Sequence, residues 1–136
     1  MAVASEARPF DPKWPEIESL PKGQVRFTYD GRLDTLFVNF YGKARPAASE
    51  PLDVGERDYL FVRVDPLSQE VVGLQIEDFL SYAVGLYPGW VEAIEIADLR
   101  GYDDIAAANL RRWARAKSQG QTDAYALISD IERMGA

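Results

Sequence analysis

Alternation of apolar and polar residues is clearest from Phe27 to Phe40, FTYDGRLDTLFVNF, where two runs of period two flank Asp30-Gly31. The pattern predicts a β-hairpin. Its first strand, near residues 24–29, places Val25, Phe27 and Tyr29 on one face and Arg26 and Thr28 on the other. Its second, near 34–41, is apolar on both faces through Leu36, Phe37, Val38 and Phe40, as expected of an interior strand. Asp30 and Gly31 supply turn chemistry, a side-chain acceptor for nearby amides and a residue tolerant of positive φ. A second hairpin is predicted from residues 59–65 and 71–77 across Pro66-Leu67-Ser68-Gln69-Glu70. Gly73 in its latter strand signals a bulge or a close approach by another backbone or side chain. Between the hairpins, residues 42–57 carry Pro46, Pro51 and Gly55 and read as a long loop, functional, mobile or holding a short irregular strand.

After Glu77 the period changes to that of a helix. Phe79, Leu80, Ala83, Val84 and Leu86 predict a short helix ending near Pro88-Gly89, and Trp90, Val91, Ile94 and Ala97 predict further helical turns. The Ile94 and Ile96 alternation also permits a fifth strand. Asp103 is an N-cap candidate for a helix to Lys117, with Ala106, Leu110, Trp113 and Ala114 on its apolar side and Arg111 and Arg115 facing outward. Gly120 stops that helix and Thr122 caps a last one carrying Ala124, Leu127, Ile128 and Ile131, so the two form an antiparallel pair. Four prolines around Trp14 make residues 1–23 an extended arm. Phe10, Trp14, Ile17 and Leu20 are too apolar for a free tail, so the arm lies across its own domain or a partner subunit. The expected fold is α+β: an antiparallel four-stranded β-meander over 24–78 with C-terminal helices, residues 79–136 of the same domain, packed on one face.

The segment YDGRLDTLFVNF, with Tyr29, Asp30, Asp34, Leu36, Phe37, Val38 and Phe40, resembles the opening of domain of unknown function 2283, a small bacterial family. VVGLQIE, Val71 to Glu77, is similar to the family's second block, and Glu50-Pro51-Leu52-Asp53 to the acidic segment between them. The likeness covers about residues 25–78 and departs from the family around Gly55 to Tyr59, at Pro66 to Gln69 and at Gln75. It implies a bacterial β-meander domain without an assigned activity, and so no catalytic residue.

Composition narrows the chemistry. The 136 residues contain neither cysteine nor histidine, which removes disulfides, thiolate and imidazole metal ligands, cysteine nucleophiles and the commonest general base. No serine elbow, phosphate loop or dinucleotide fingerprint is present. Hydrophobic residues make up 47%, yet no apolar run is long enough to span a membrane, and the N-terminal segment lacks a basic start and apolar stretch of a secretory signal. A cytoplasmic location is the expectation. The net charge of -7 opposes whole-surface affinity for nucleic acid, but it is uneven: residues 1–99 hold 9 basic and 17 acidic side chains, residues 100–136 hold 6 and 5.

Three clusters invite chemistry, each with a plainer explanation. Glu77, Asp78, Glu92, Glu95, Asp98, Asp103 and Asp104 would hold a hard cation only by converging, and a solvated acidic face explains them more simply. Asp30, Asp34 and Asp65 are placed as turn residues rather than as paired catalytic acids. Arg111, Arg115 and Lys117 form a basic helix face and are the weak candidate nucleic-acid contacts. The sequence therefore points to a non-catalytic, cofactor-free protein-interaction or accessory module, in contact with a protein partner or its own copy. Candidate contacts are Phe10, Trp14, Arg45, Tyr82, Tyr87 and Trp90, because aromatics and arginine anchor interfaces. The alternative is a small-ligand or nucleic-acid binding domain that uses the sheet face or the basic helix.

Overall fold

A computed structural model describes residues 12–42, 45–52, 57–118 and 124–135. The α+β class is as expected, but the sheet differs from the predicted meander. Six strands, β1 (Arg26–Asp30), β2 (Thr35–Asn39), β3 (Ala48–Pro51), β4 (Leu60–Val64), β5 (Val71–Ile76) and β6 (Asp98–Arg100), lie in the order β3-β4-β5-β2-β1-β6. Both predicted hairpins form, within a residue or two of their expected bounds. A meander would set β4 beside β2; here β5 takes that place, with Leu36 opposite Ile76 and Val38 opposite Leu74. The loop over 42–57 contains the edge strand β3, antiparallel to β4. At the opposite edge β6 pairs parallel with β1, so the sheet is mixed.

Gly73 selects this arrangement. A Cβ there would stand 2.3 Å from the Val38 carbonyl oxygen, so only glycine allows β5 to lie against β2 at this distance. The register also shifts between Arg63 and Val64, opposite the same stretch of β5. The bulge and the close backbone approach expected at this glycine are thus both present.

One face of the sheet carries the core. Phe27, Tyr29, Leu36, Val38, Leu60, Val62, Val64, Leu74, Ile76 and Leu99 alternate inward along their strands and are buried beneath the helical segments. Those segments begin with a π-helical turn, Phe79–Ala83, running into α1 (Val84–Leu86). Asp34 starts it: its backbone takes an αL conformation (φ 51°), its carbonyl accepts from the Phe79 amide at 2.9 Å, and its carboxylate accepts from the Leu80 and Ser81 amides at 2.8 and 3.1 Å. These bonds satisfy amides that the first turn of a helix leaves unpaired. A 3₁₀ segment, Pro88–Glu92, leads into α2 (Ala93–Ile96); residues 94–96 are therefore helical, and the additional strand falls at 98–100.

The helix α3 (Asp104–Ser118) begins on Asp103 Oδ1, which accepts from the Ala106 amide at 2.8 Å, the predicted cap. Leu127, Ile128 and Ile131 of α4 (Ala126–Gly135) are buried as expected, while Gly120 and Thr122 lie outside the described residues. The expected antiparallel pair of α3 and α4 is not how these helices pack. Each rests chiefly on the 3₁₀ segment around Trp90. The described part of the arm docks on its own domain: Lys13 pairs its backbone with Gln69 and Val71 at 2.9 Å each, and Trp14, Ile17 and Leu20 pack against the core. No helix among the described residues is long and apolar enough to cross a membrane.

Candidate functional site

On the helical side an open groove of about 340 Å³ runs between α1, the 3₁₀ segment and α3, bordered by Leu80, Val84, Val91, Trp113 and Lys117. Trp113 is 41% exposed, which corrects its expected place in the core. The reason lies in the stripe that α3 buries. Ala107, Ala114 and Ser118 face inward with half-buried Arg111 completing the row, a spacing of four, three and four residues. These small side chains let the helix approach α2 closely, and the Arg111 guanidinium reaches past them to donate to the Ala97 carbonyl at 3.0 Å. Trp113 is left on the shoulder, over the groove.

The same geometry corrects the basic face. Arg111 points inward, and Arg115, although exposed, donates to Glu95 at 3.0 Å, where Ser118 Oγ also donates. Two of the three predicted nucleic-acid contacts are thus engaged within the domain. Lys117 stands beside Trp113 at the groove rim.

The aromatic contact candidates separate in the same way. Trp90 is buried and its Nε1 donates to Asp130 at 3.0 Å, so it anchors α4 and is removed from the surface set. Tyr87 is half-buried, stacked on Trp90 with ring centroids 4.3 Å apart. Tyr82 is 51% exposed and meets Tyr59 edge-on at 5.2 Å. Burial first, then a hydrogen bond with Tyr87, pushes the Tyr59 hydroxyl up to about 12. Trp14 is half-buried on the core, and Phe10 lies outside the described residues. Arg45 is occupied locally, 5.0 Å above the Tyr41 ring and 3.8 Å from Asp65.

The other face of the sheet, the alternative binding surface expected from the sequence, carries side chains not named there as contacts. Cross-strand register sets Thr28, Phe37, Gln75, Phe61 and Pro51 in one row and Arg26, Asn39, Gly73, Arg63 and Ser49 in the next. Phe37 and Phe61 are half-buried, and Arg26 and Arg100 are exposed. A shallow notch of about 170 Å³ lies on this face, lined by Thr28, Phe37, Asn39, Arg63 and Arg100. The signal available earlier was parity: Phe37 and Phe61 fall in the same phase as the polar positions of their strands.

The acids are used one at a time. Asp30 accepts from the Arg32 amide at 2.9 Å, and Asp65 from the Leu67 and Ser68 amides at 2.9 and 3.2 Å, both turn roles. Among the described residues no three acids converge in a metal-holding group. No protein-family model, curated protein or solved structure matches the chain.

Proposed function

We propose that the chain is a non-catalytic interaction module that docks a protein partner in the groove beside Trp113. The observation that carries this reading is the position of Trp113, a large ring held over an apolar trough instead of inside the core. Exposed apolar grooves with an aromatic at the centre mark interaction sites, and tryptophan is among the residues most enriched at their energetic hot spots. Leu80, Val84 and Val91 form an apolar floor, while Lys117 at one rim offers a cation to an acidic group on the partner. The chemistry of the groove favours adhesion over turnover, since its lining includes no carboxylate, histidine or cysteine. An accessory subunit of a larger bacterial assembly fits these features.

The test is photo-crosslinking in cells of the source organism, with a benzophenone amino acid at Lys117 and, as a control, at Leu67, which is 95% exposed in the β4–β5 turn. The reading expects one dominant crosslinked protein from position 117 and only scattered background from position 67. Equal, diffuse crosslinking from both positions would refute it.

A further inference from the structure

We infer that the face of the sheet turned away from the helices binds single-stranded nucleic acid, with Phe37 and Phe61 as stacking surfaces and Arg26, Arg63 and Arg100 as phosphate contacts. This site is independent of the Trp113 groove and lies on the opposite side of the sheet.

The arrangement is a row of rings beside a row of charge. Phe37 on β2 and Phe61 on β4 project outward in register, with Gln75 of β5 between them. Two strand spacings separate them by roughly 10 Å. In the adjoining row Arg26 and Arg63 flank Asn39 and Gly73. Arg100 closes the notch from β6. A strand laid across the sheet would set its phosphates along the arginine row and its bases over the phenylalanines. Paired bases cannot be reached this way, because their faces are already stacked. Thr28 and Asn39 place a hydroxyl and an amide at the level of the base edges, while the Gln75 amide is held by Ser49 and Glu77 at 2.9 Å each. Aromatic platforms with a cationic border are how sheet-based domains hold single strands.

The charge around the notch is unlike the rest of the molecule. The chain carries a net charge of -7, yet the notch is lined by two arginines and no acid. The guanidinium groups of Arg26 and Arg100 have no hydrogen-bond or ion-pair partner among the described residues. Arg63 is held only by long contacts, 3.5 Å to Ser49 Oγ and 3.4 Å to the Ala47 carbonyl, which leaves guanidinium donors free. The acids of this face lie off the arginine row. Glu77 accepts from Gln75 Nε2 at 2.9 Å, Asp98 is at the β6 end beside Thr28, and Asp30 is turned into its own loop. Attraction is therefore local and the acidic remainder repels long polyanions, so binding should be short-footed and sensitive to salt.

Fluorescence anisotropy with labelled twelve-nucleotide single-stranded DNA and RNA, at low and at physiological salt, tests the assignment. The expected result is saturable binding with a dissociation constant below about 100 µM, within the range of weak non-specific complexes. Phe37→Ala with Phe61→Ala should weaken it at least tenfold, as should Arg26→Glu with Arg100→Glu. Both pairs are half-buried or exposed, and circular dichroism verifies that each variant is folded. Trp113→Ala should leave it unchanged. No saturable binding, equal binding of the corresponding duplex, or equal binding of polyglutamate unaffected by the phenylalanine changes would each overturn the proposal. So would a homodimer that Phe37→Ala dissociates, because the face would then be taken by a second copy.

Discussion

The Tyr29 hydroxyl donates to Asp34 Oδ1 at 2.6 Å, closing a bond between β1 and the end of its own hairpin turn. Asp34 in turn holds the start of the helical segment through the Leu80 and Ser81 amides, so one carboxylate ties the first hairpin to the element that follows the second. Asp34→Ala strips acceptors from a hydroxyl and two amides at once and should cost about 1–3 kcal/mol, the penalty for leaving such groups unpaired. Tyr29→Phe removes one donor and leaves the amides in place, so about 1 kcal/mol is expected. Urea denaturation of the two variants checks both the sizes and their order.

Protonation acts on the same junction. Burial works to raise the Asp34 carboxyl, but the hydrogen bonds from Tyr29, Ser81 and the two amides outweigh it and hold the group below the ordinary carboxylate range. A folded-state pKa below the unfolded one stabilises the protein above about pH 4, and that contribution is lost as pH falls through the folded value. The wild type should therefore lose stability in acid more steeply than Asp34→Asn. Tyrosine gives the opposite limb. Tyr59 is pushed up to about 12, so its contribution is complete below about pH 10 and disappears as pH rises through the folded value. Thermal melts from pH 3 to pH 12 should show both losses, and Tyr59→Phe should flatten the alkaline one in part, since the Tyr29 and Tyr41 hydroxyls are raised as well.

Gly73→Ala should destabilise by about 1–3 kcal/mol, the range for overpacking, although alanine is otherwise an unobtrusive replacement. The added methyl meets backbone, the Val38 carbonyl, which cannot swing aside as a side chain would. Gly85, with nothing within 4 Å of a Cβ, is the control, and Gly85→Ala should match the wild type or exceed it slightly in chemical denaturation.

Trp90 and Trp113 are the same residue at comparable places in the helical pattern, but opposite consequences are expected. Trp90→Ala removes a buried ring and orphans Asp130 from its indole donor, at about 3–5 kcal/mol. Trp113→Ala should change stability by less than about 1 kcal/mol, within reach of other exposed substitutions. Differential scanning calorimetry separates them.

The two hairpins were legible because alternation and turn chemistry are local, and Asp103 announced its helix for the same reason. Strand order was not legible. Either edge of the second hairpin could pair with β2, and the choice depends on how closely Gly73 lets β5 approach Val38, a contact between residues far apart in sequence. At three residues, β6 is too short to display a period. The face of α3 was misjudged because Arg111 occupies a core-facing position with its aliphatic stem, while the large apolar ring beside it, Trp113, stays out. Helical spacing alone ranks tryptophan ahead of arginine for burial. The outward phenylalanines became informative only once register set them beside Arg26 and Arg63.

The central claim is that the groove beside Trp113 engages a protein partner. Once that partner has been captured from position 117, isothermal titration of wild type and Trp113→Ala against it measures the claim directly. A weakening of roughly thirtyfold or more, the loss of about 2 kcal/mol that defines a hot spot, is the predicted result. Equal affinity of the two proteins would contradict it.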